Sequence, residues 1–160
     1  MRKHSQRTRY ICHAALIAAL YVVLTYVAKA FSLDSEVIQV RLSEMLCLLP
    51  IFTPAAIPGV TIGCLLANVM TGAVALDIIA GPIATLLGAL GTYYLRKNKW
   101  LAAFPPVLSN ALIVPFILSY GYGVPDAIPF MMLTVGIGEI ISIYVLGMLL
   151  INTKIIKSLK

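Results

Sequence analysis

"MLCLLPIFTPAAIPGVTIGCLLANVMTGAVAL", Met45 to Leu76, runs for 32 residues without an Asp, Glu, Lys, Arg or His. No water-exposed loop or amphipathic helix has such a composition. As one helix it would be about 48 Å long, well beyond the roughly 30 Å hydrocarbon core of a bilayer. Pro54, Pro58 and Gly59, in "FTPAAIPG", divide it. Proline removes a helix donor and restrains the residue before it. Two short apolar helices are therefore expected, about 41–52 and about 57–71. Each is near or below spanning length, so each needs protein or a cavity around it.

The rest of the chain has the same character. Of 160 residues, 61% are hydrophobic and 11% charged, against roughly 25% charged in soluble domains. A soluble core of this length could not bury so much apolar surface. The reading is an all-α, multi-pass membrane protein forming one integral membrane domain over residues 1–160, with no separate soluble domain. Further spans are expected at about 10–30, 76–95, 100–120 and 127–152, making six helices. Pro105, Pro106 and Pro115 predict bends in the fifth, and "GYGVPD", Gly121 to Asp126, reads as a turn-rich loop. A polar loop with Asp34 and Glu36 follows the first helix. The basic opening, the apolar run Ala14 to Ala28 and "AKA" at Ala28–Ala30 also mimic a cleavable leader; the reading keeps this segment as the first membrane helix.

A net charge of +6 invites a nucleic-acid reading, but the charge positions oppose it. Arg2, Lys3, Arg7 and Arg9 precede the first apolar run. Arg96, Lys97 and Lys99 lie between two others, and Lys154, Lys157 and Lys160 close the chain. Basic residues flanking apolar spans mark the cytoplasmic side. With six helices all three patches fall on one side, so both termini are expected in the cytoplasm, and no nucleic-acid partner is expected. Cys12, Cys47 and Cys64 match no zinc spacing and read as small buried side chains. His4 and His13 are poor ligands too, so no metal is expected.

Polar groups at membrane depth carry the site hypothesis, because an ionisable one costs roughly 2.5–3.5 kcal/mol to insert. "IQVRLSEML", Ile38 to Leu46, places Gln39, Arg41 and Glu44 at the mouth of the charge-free run. Arg41 and Glu44 are three apart and would share a helix face, as a ligand-facing pair or as a structural seal. Glu139 lies mid-helix in "VGIGEII", where Gly136 and Gly138 permit close approach. Asn68 and Asn110 are buried amides that either bond between helices or face a ligand. Asp77 reads as an acidic residue suited to a helix start. These groups converge from several helices near the outer half, and a donor-rich heterocycle fits them: a carboxylate accepts two parallel N–H bonds and an amide completes the edge. Phe116, Tyr120 and Tyr122 offer stacking surface. In the first helix Ala14/Ala18 and Ala15/Ala19 place small residues four apart, for internal packing or for docking another membrane protein. No G-x-x-x-x-G-K-[ST] loop is present, and no nucleophile–base motif stands out, so the chain is not read as an enzyme.

"IQVRLSEMLCLLPIFTPAAIPGVTIGCLLANVMTG", Ile38 to Gly72, followed by "DIIAGPIATLLGALGTYYLR", Asp77 to Arg96, resembles the QueT family of substrate-binding S components of energy-coupling factor (ECF) transporters. The similarity extends over most of the chain. The resemblance implies six membrane helices with cytoplasmic termini in the bacterial plasma membrane. It implies capture of a queuosine precursor, a deazaguanine base: the aminomethyl or cyano precursor, or queuine. It also implies partners, namely one membrane coupling protein and two cytosolic ATPases. ATP and magnesium would be used by those partners, with no cofactor in this chain. Ala14, Ala15, Ala18 and Ala19 match the small-residue pattern with which S components dock on the coupling protein. The alternatives are an S component for another vitamin or small heterocycle, and a membrane enzyme or assembly subunit.

Overall fold

The computed structural model describes residues 2–33 and 39–153. The loop residues Asp34 and Glu36 and the terminal Lys154, Lys157 and Lys160 lie outside them. The described residues form six helical segments. Four are long and apolar enough to cross a membrane, and two are shorter.

The first helix, α1, is Arg2–Ala30. It starts before the expected Tyr10 because no Pro or Gly interrupts residues 2–30, and the basic opening simply continues its turns. Next comes Leu42–Ile51, a 3-10 helix and not the expected α-helix. Pro50 lies inside it and gives no helical hydrogen bond of either kind. The tighter winding rises about 2.0 Å per residue, so ten residues reach about 20 Å in a slimmer rod. That rod is the centre of the molecule. Leu46, Cys47 and Leu49 pack with Ile17, Tyr21 and Val60, while Leu48 packs with Ala103, Ile143 and Ile151 on its other side.

Helix α2 is Ala56–Met70 and α3 is Ala75–Tyr94. Helix α4, Lys99–Gly121, is bent where prolines require it. It breaks at Ala103, where Pro105 and Pro106 open its main part, and it widens to π geometry over Ile117–Gly121 after Pro115. Helix α5, Ile128–Asn152, also widens to π geometry over Ile140–Gly147, directly after Glu139. Such widened turns occur often at functional sites.

Close crossings hold the bundle. Gly63 of α2 meets Ala18 and Tyr21 of α1, and Gly88 of α3 meets Pro106 of α4. The outer surface is apolar: Leu16, Ile79, Leu87, Leu108, Leu133 and Leu149 are all exposed. Glu44, Asp77, Asn110, Glu139 and Ser142 are buried. Apolar outside and polar inside is the arrangement that lipid rewards and water does not.

The two ends differ. At one, Tyr10 Oη donates to the Pro54 carbonyl at 3.3 Å and Tyr144 Oη to the Trp100 carbonyl at 3.0 Å, and Arg96 sits 4.0 Å over the Tyr93 ring. The Pro54 turn and the basic turn between α3 and α4 thus share the end where Arg7 and Arg9 lie. At the opposite end Tyr26 Oη donates to the Met70 carbonyl at 3.0 Å, and a cavity opens.

Candidate functional site

The cavity has a volume of about 310 Å³, at the lower end of the roughly 300–1,000 Å³ range of small-molecule pockets. Tyr21, Gln39, Arg41, Asn68, Asp77 and Tyr122 line it, among others. They come from α1, the strand-like entry to the rod, α2, α3 and the loop after α4. No single element carries the site.

Gln39 and Arg41 are placed by α5. The Arg41 backbone N–H donates to Ser142 Oγ at 3.1 Å, and that hydroxyl donates to the Gly138 carbonyl at 2.9 Å. Gly138 is required there, since a Cβ would overlap the Gln39 carbonyl. Gly138→Val is therefore expected to lower stability by about 1–3 kcal/mol, the usual cost of overpacking, and to weaken ligand binding by displacing residues 39–41. At Gly136 an added Cβ would meet only Ala111 Cβ at an ordinary 3.7 Å, so Gly136→Ala is the neutral control. Thermal melting in detergent separates the two.

Arg41 has extended backbone, φ −95° and ψ 97°, and precedes the rod. It does not share a helix face with Glu44, as the three-residue spacing predicted. Its guanidinium lines the cavity and lies within the fields of Asp77, Glu139 and Glu44. Glu44, 1% exposed, sits beneath the floor. Its Oε1 accepts the Tyr21 hydroxyl, and its Oε2 accepts Cys47 Sγ at 3.1 Å. Both oxygens accept from protein groups and Glu44 does not line the cavity, so it acts on the cavity through Tyr21.

Asn68 lines the cavity and donates through Nδ2 to the Asp77 carbonyl at 2.9 Å and to Asp77 Oδ1 at 3.3 Å. Gly81 makes room for this pair, as a Cβ there would come within 2.8 Å of both side chains. Tyr122 Oη donates to Asp77 Oδ2 at 3.0 Å. Burial, and then the Asp77 carboxylate, push the Tyr122 phenol up, so it stays neutral and keeps its proton to donate.

Asn110 and Glu139 are buried, 2% and 1% exposed, and do not line the cavity. The amide interacts with the carboxyl, yet Asn110 Nδ2 and Glu139 Oε2 lack a properly aligned hydrogen-bond partner among the described residues. Such an orphaned atom costs about 1–3 kcal/mol, so this is the least satisfied point of the interior.

The structure thus brings Gln39, Arg41 and Asn68 to the cavity and places Glu44, Asn110 and Glu139 around it. Asp77, Tyr21 and Ser142 were not among the expected site residues. Asp77 had a signal, being the only acidic residue between Glu44 and Asp126. Phe116 and Tyr120 stack on each other, centroids 6.4 Å apart, and are 43% and 74% exposed on the bundle's outer surface. They leave Tyr122 as the aromatic residue of that group in the cavity. The α1 alanines divide: Ala18 is buried and Ala14 half-buried, against Gly63 and Gly59 of α2, while Ala15 and Ala19 are exposed. Among the described residues no group of three His, Cys, Asp or Glu is placed to hold a metal ion.

The profile of the QueT transporter family matches residues 11–154. The chain belongs to the QueT transporter family. The curated "Queuosine precursor transporter QueT" of Lactococcus lactis subsp. cremoris (strain MG1363) is 37% identical over 81 residues, 51% of this chain and 47% of that protein. The match thus spans about half the length of that relative. No solved structure matches the chain. For a QueT-family transporter the long apolar helices are membrane spans, so the chain is a multi-pass membrane protein.

Proposed function

We propose that this QueT-family chain is the substrate-capturing S component of an ECF transporter in the bacterial plasma membrane. It takes a deazaguanine queuosine precursor from outside the cell and delivers it with a membrane coupling protein and two cytosolic ATPases. The name of the Lactococcus relative supports the substrate class.

The observation that carries the reading is the cavity itself. It is compact, and its walls present two amides, a guanidinium and a carboxylate: Gln39, Asn68, Arg41 and Asp77. A deazaguanine edge alternates N–H donors with a carbonyl acceptor. The amides of Gln39 and Asn68 serve either role and the guanidinium donates to the carbonyl, while the carboxylate accepts from a substituent of the ring. Tyr21 and Tyr122 add flat surface. Glu44 fixes Tyr21, and the field of Glu139 acts on Arg41.

Orientation follows from charge. Arg7, Arg9, Arg96, Lys97 and Lys99 gather at the end opposite the cavity. With basic residues inside, the cavity faces out and both termini face the cytoplasm, with the two short helices completing six membrane segments. Ala15 and Ala19, exposed on α1, form the docking face for the coupling protein.

The test is uptake of labelled precursor by cells without their own synthesis of it. Accumulation is expected only when this chain and the coupling module are both present. In the same cells an impermeant thiol reagent should reach Gly123→Cys and miss Lys97→Cys. Uptake without any ATPase module, or labelling of Lys97→Cys, would contradict the reading.

A further inference from the structure

Asp77 is the only carboxylate on the cavity wall among the described residues. It is held from two sides. Asn68 fixes Oδ1 and the backbone carbonyl, and Tyr122 fixes Oδ2. Two cavity-lining elements, α2 and the loop after α4, thus orient one carboxylate of α3. A carboxylate has about four acceptor positions; these two donors leave others free on a residue that lines the cavity. Ser43, 4% exposed, adds a hydroxyl to the same wall.

The charge balance points the same way. Arg41, half-buried, is the inner cation of the wall, and the fields of Asp77, Glu139 and Glu44 offset its charge. Glu44 and Glu139 do not line the cavity, so Asp77 is the anionic acceptor that a bound cation would meet. Lys29 also borders the cavity but is exposed, so water screens it.

We propose that Asp77, oriented by Asn68 and Tyr122, is the specificity residue that selects a precursor bearing a protonated amine over the neutral analogue of the same ring. This rests on the deazaguanine reading above and refines it. A hydrogen bond from an ammonium to a carboxylate is charge-assisted and roughly twice as strong as a neutral one. A site built around such a bond rejects an analogue that leaves the charged group unpaired. The aminomethyl base supplies the ammonium; the cyano base offers only an acceptor, which Asp77 repels.

Calorimetry with the purified chain tests this, using the aminomethyl and cyano bases on the wild type, Asp77→Asn and Tyr122→Phe. The wild type should prefer the aminomethyl base by about 10- to 100-fold. Asp77→Asn, similar in shape, should lose most of that preference through weaker aminomethyl binding, with cyano affinity unchanged or improved. Tyr122→Phe keeps the carboxylate but releases Oδ2 from its donor, and should narrow the preference less than Asp77→Asn does; a Tyr122→Phe preference narrower than that of Asp77→Asn counts against the proposal. Equal weakening of both ligands in Asp77→Asn, or a preference that survives there, overturns the proposal while leaving the deazaguanine reading intact. Binding of neither base by the wild type overturns both.

Discussion

Ala19→Leu in α1 should cut precursor uptake by about 100-fold or more and leave the affinity of the isolated protein within about twofold. Ala19 is exposed on the face of α1 turned away from α2, so a larger side chain there disturbs nothing within the chain. If that face meets the coupling protein, leucine occupies the space that close helix approach needs. A loss of about 3 kcal/mol in docking is enough for the effect. Ala18→Leu gives the contrasting result. Ala18 is buried against Gly63, and enlarging it should destabilise the protein itself by about 1–3 kcal/mol. Uptake measured beside calorimetry distinguishes the two. Equal loss of binding in Ala19→Leu would show that this face supports the cavity and is not a docking surface.

Arg41→Met should abolish measurable precursor binding and lower stability by about 3 kcal/mol. The guanidinium shares the cavity wall with Asp77 and lies within the fields of Asp77, Glu139 and Glu44. Removing the cation leaves these carboxyl groups to repel one another in a place where water is scarce. Loss of one partner from a buried charge cluster typically costs about 3–5 kcal/mol, and the open side of the cavity reduces that. Arg41→Lys should recover stability better than binding, because an ammonium restores charge without the planar fork. Thermal melting without ligand reads the first effect and calorimetry the second. A variant that melts like the wild type would mean that the carboxyl groups do not depend on Arg41.

Membrane character and the order of helices were legible from the sequence because they depend on composition and on local breaks. The charge-free run Met45–Leu76, divided by Pro54 and Pro58, required two short helices whatever surrounded them. The 3-10 winding of Leu42–Ile51 was not legible. Its apolar pattern also suits an α-helix, and its slim form depends on the helices packed around it. The same limit applies to Arg41 and Glu44. Three-residue spacing joins them on one face only if both are helical, and Arg41 is extended because Ser142 of α5 holds its backbone.

Polar residues at depth were legible as costly, but not in which direction they face. Asn68 lines the cavity, whereas Asn110 is buried and does not. Asp77 was hidden by a sufficient local explanation, its place in the first turn of α3. Its Tyr122 partner is 45 residues away, and no local pattern joins them. For the α1 alanines, spacing gave two small-residue rows, and only the packing of α2 shows which row is occupied within the chain.

The central claim is that the cavity between Tyr21, Arg41, Asn68 and Asp77 holds a deazaguanine base. Native mass spectrometry of the protein purified from cells supplied with the aminomethyl precursor tests it most directly. The account predicts a single adduct of that base, retained by the wild type and lost in Arg41→Met. An adduct of an unrelated vitamin in its place, or none in a protein that remains folded, would contradict it.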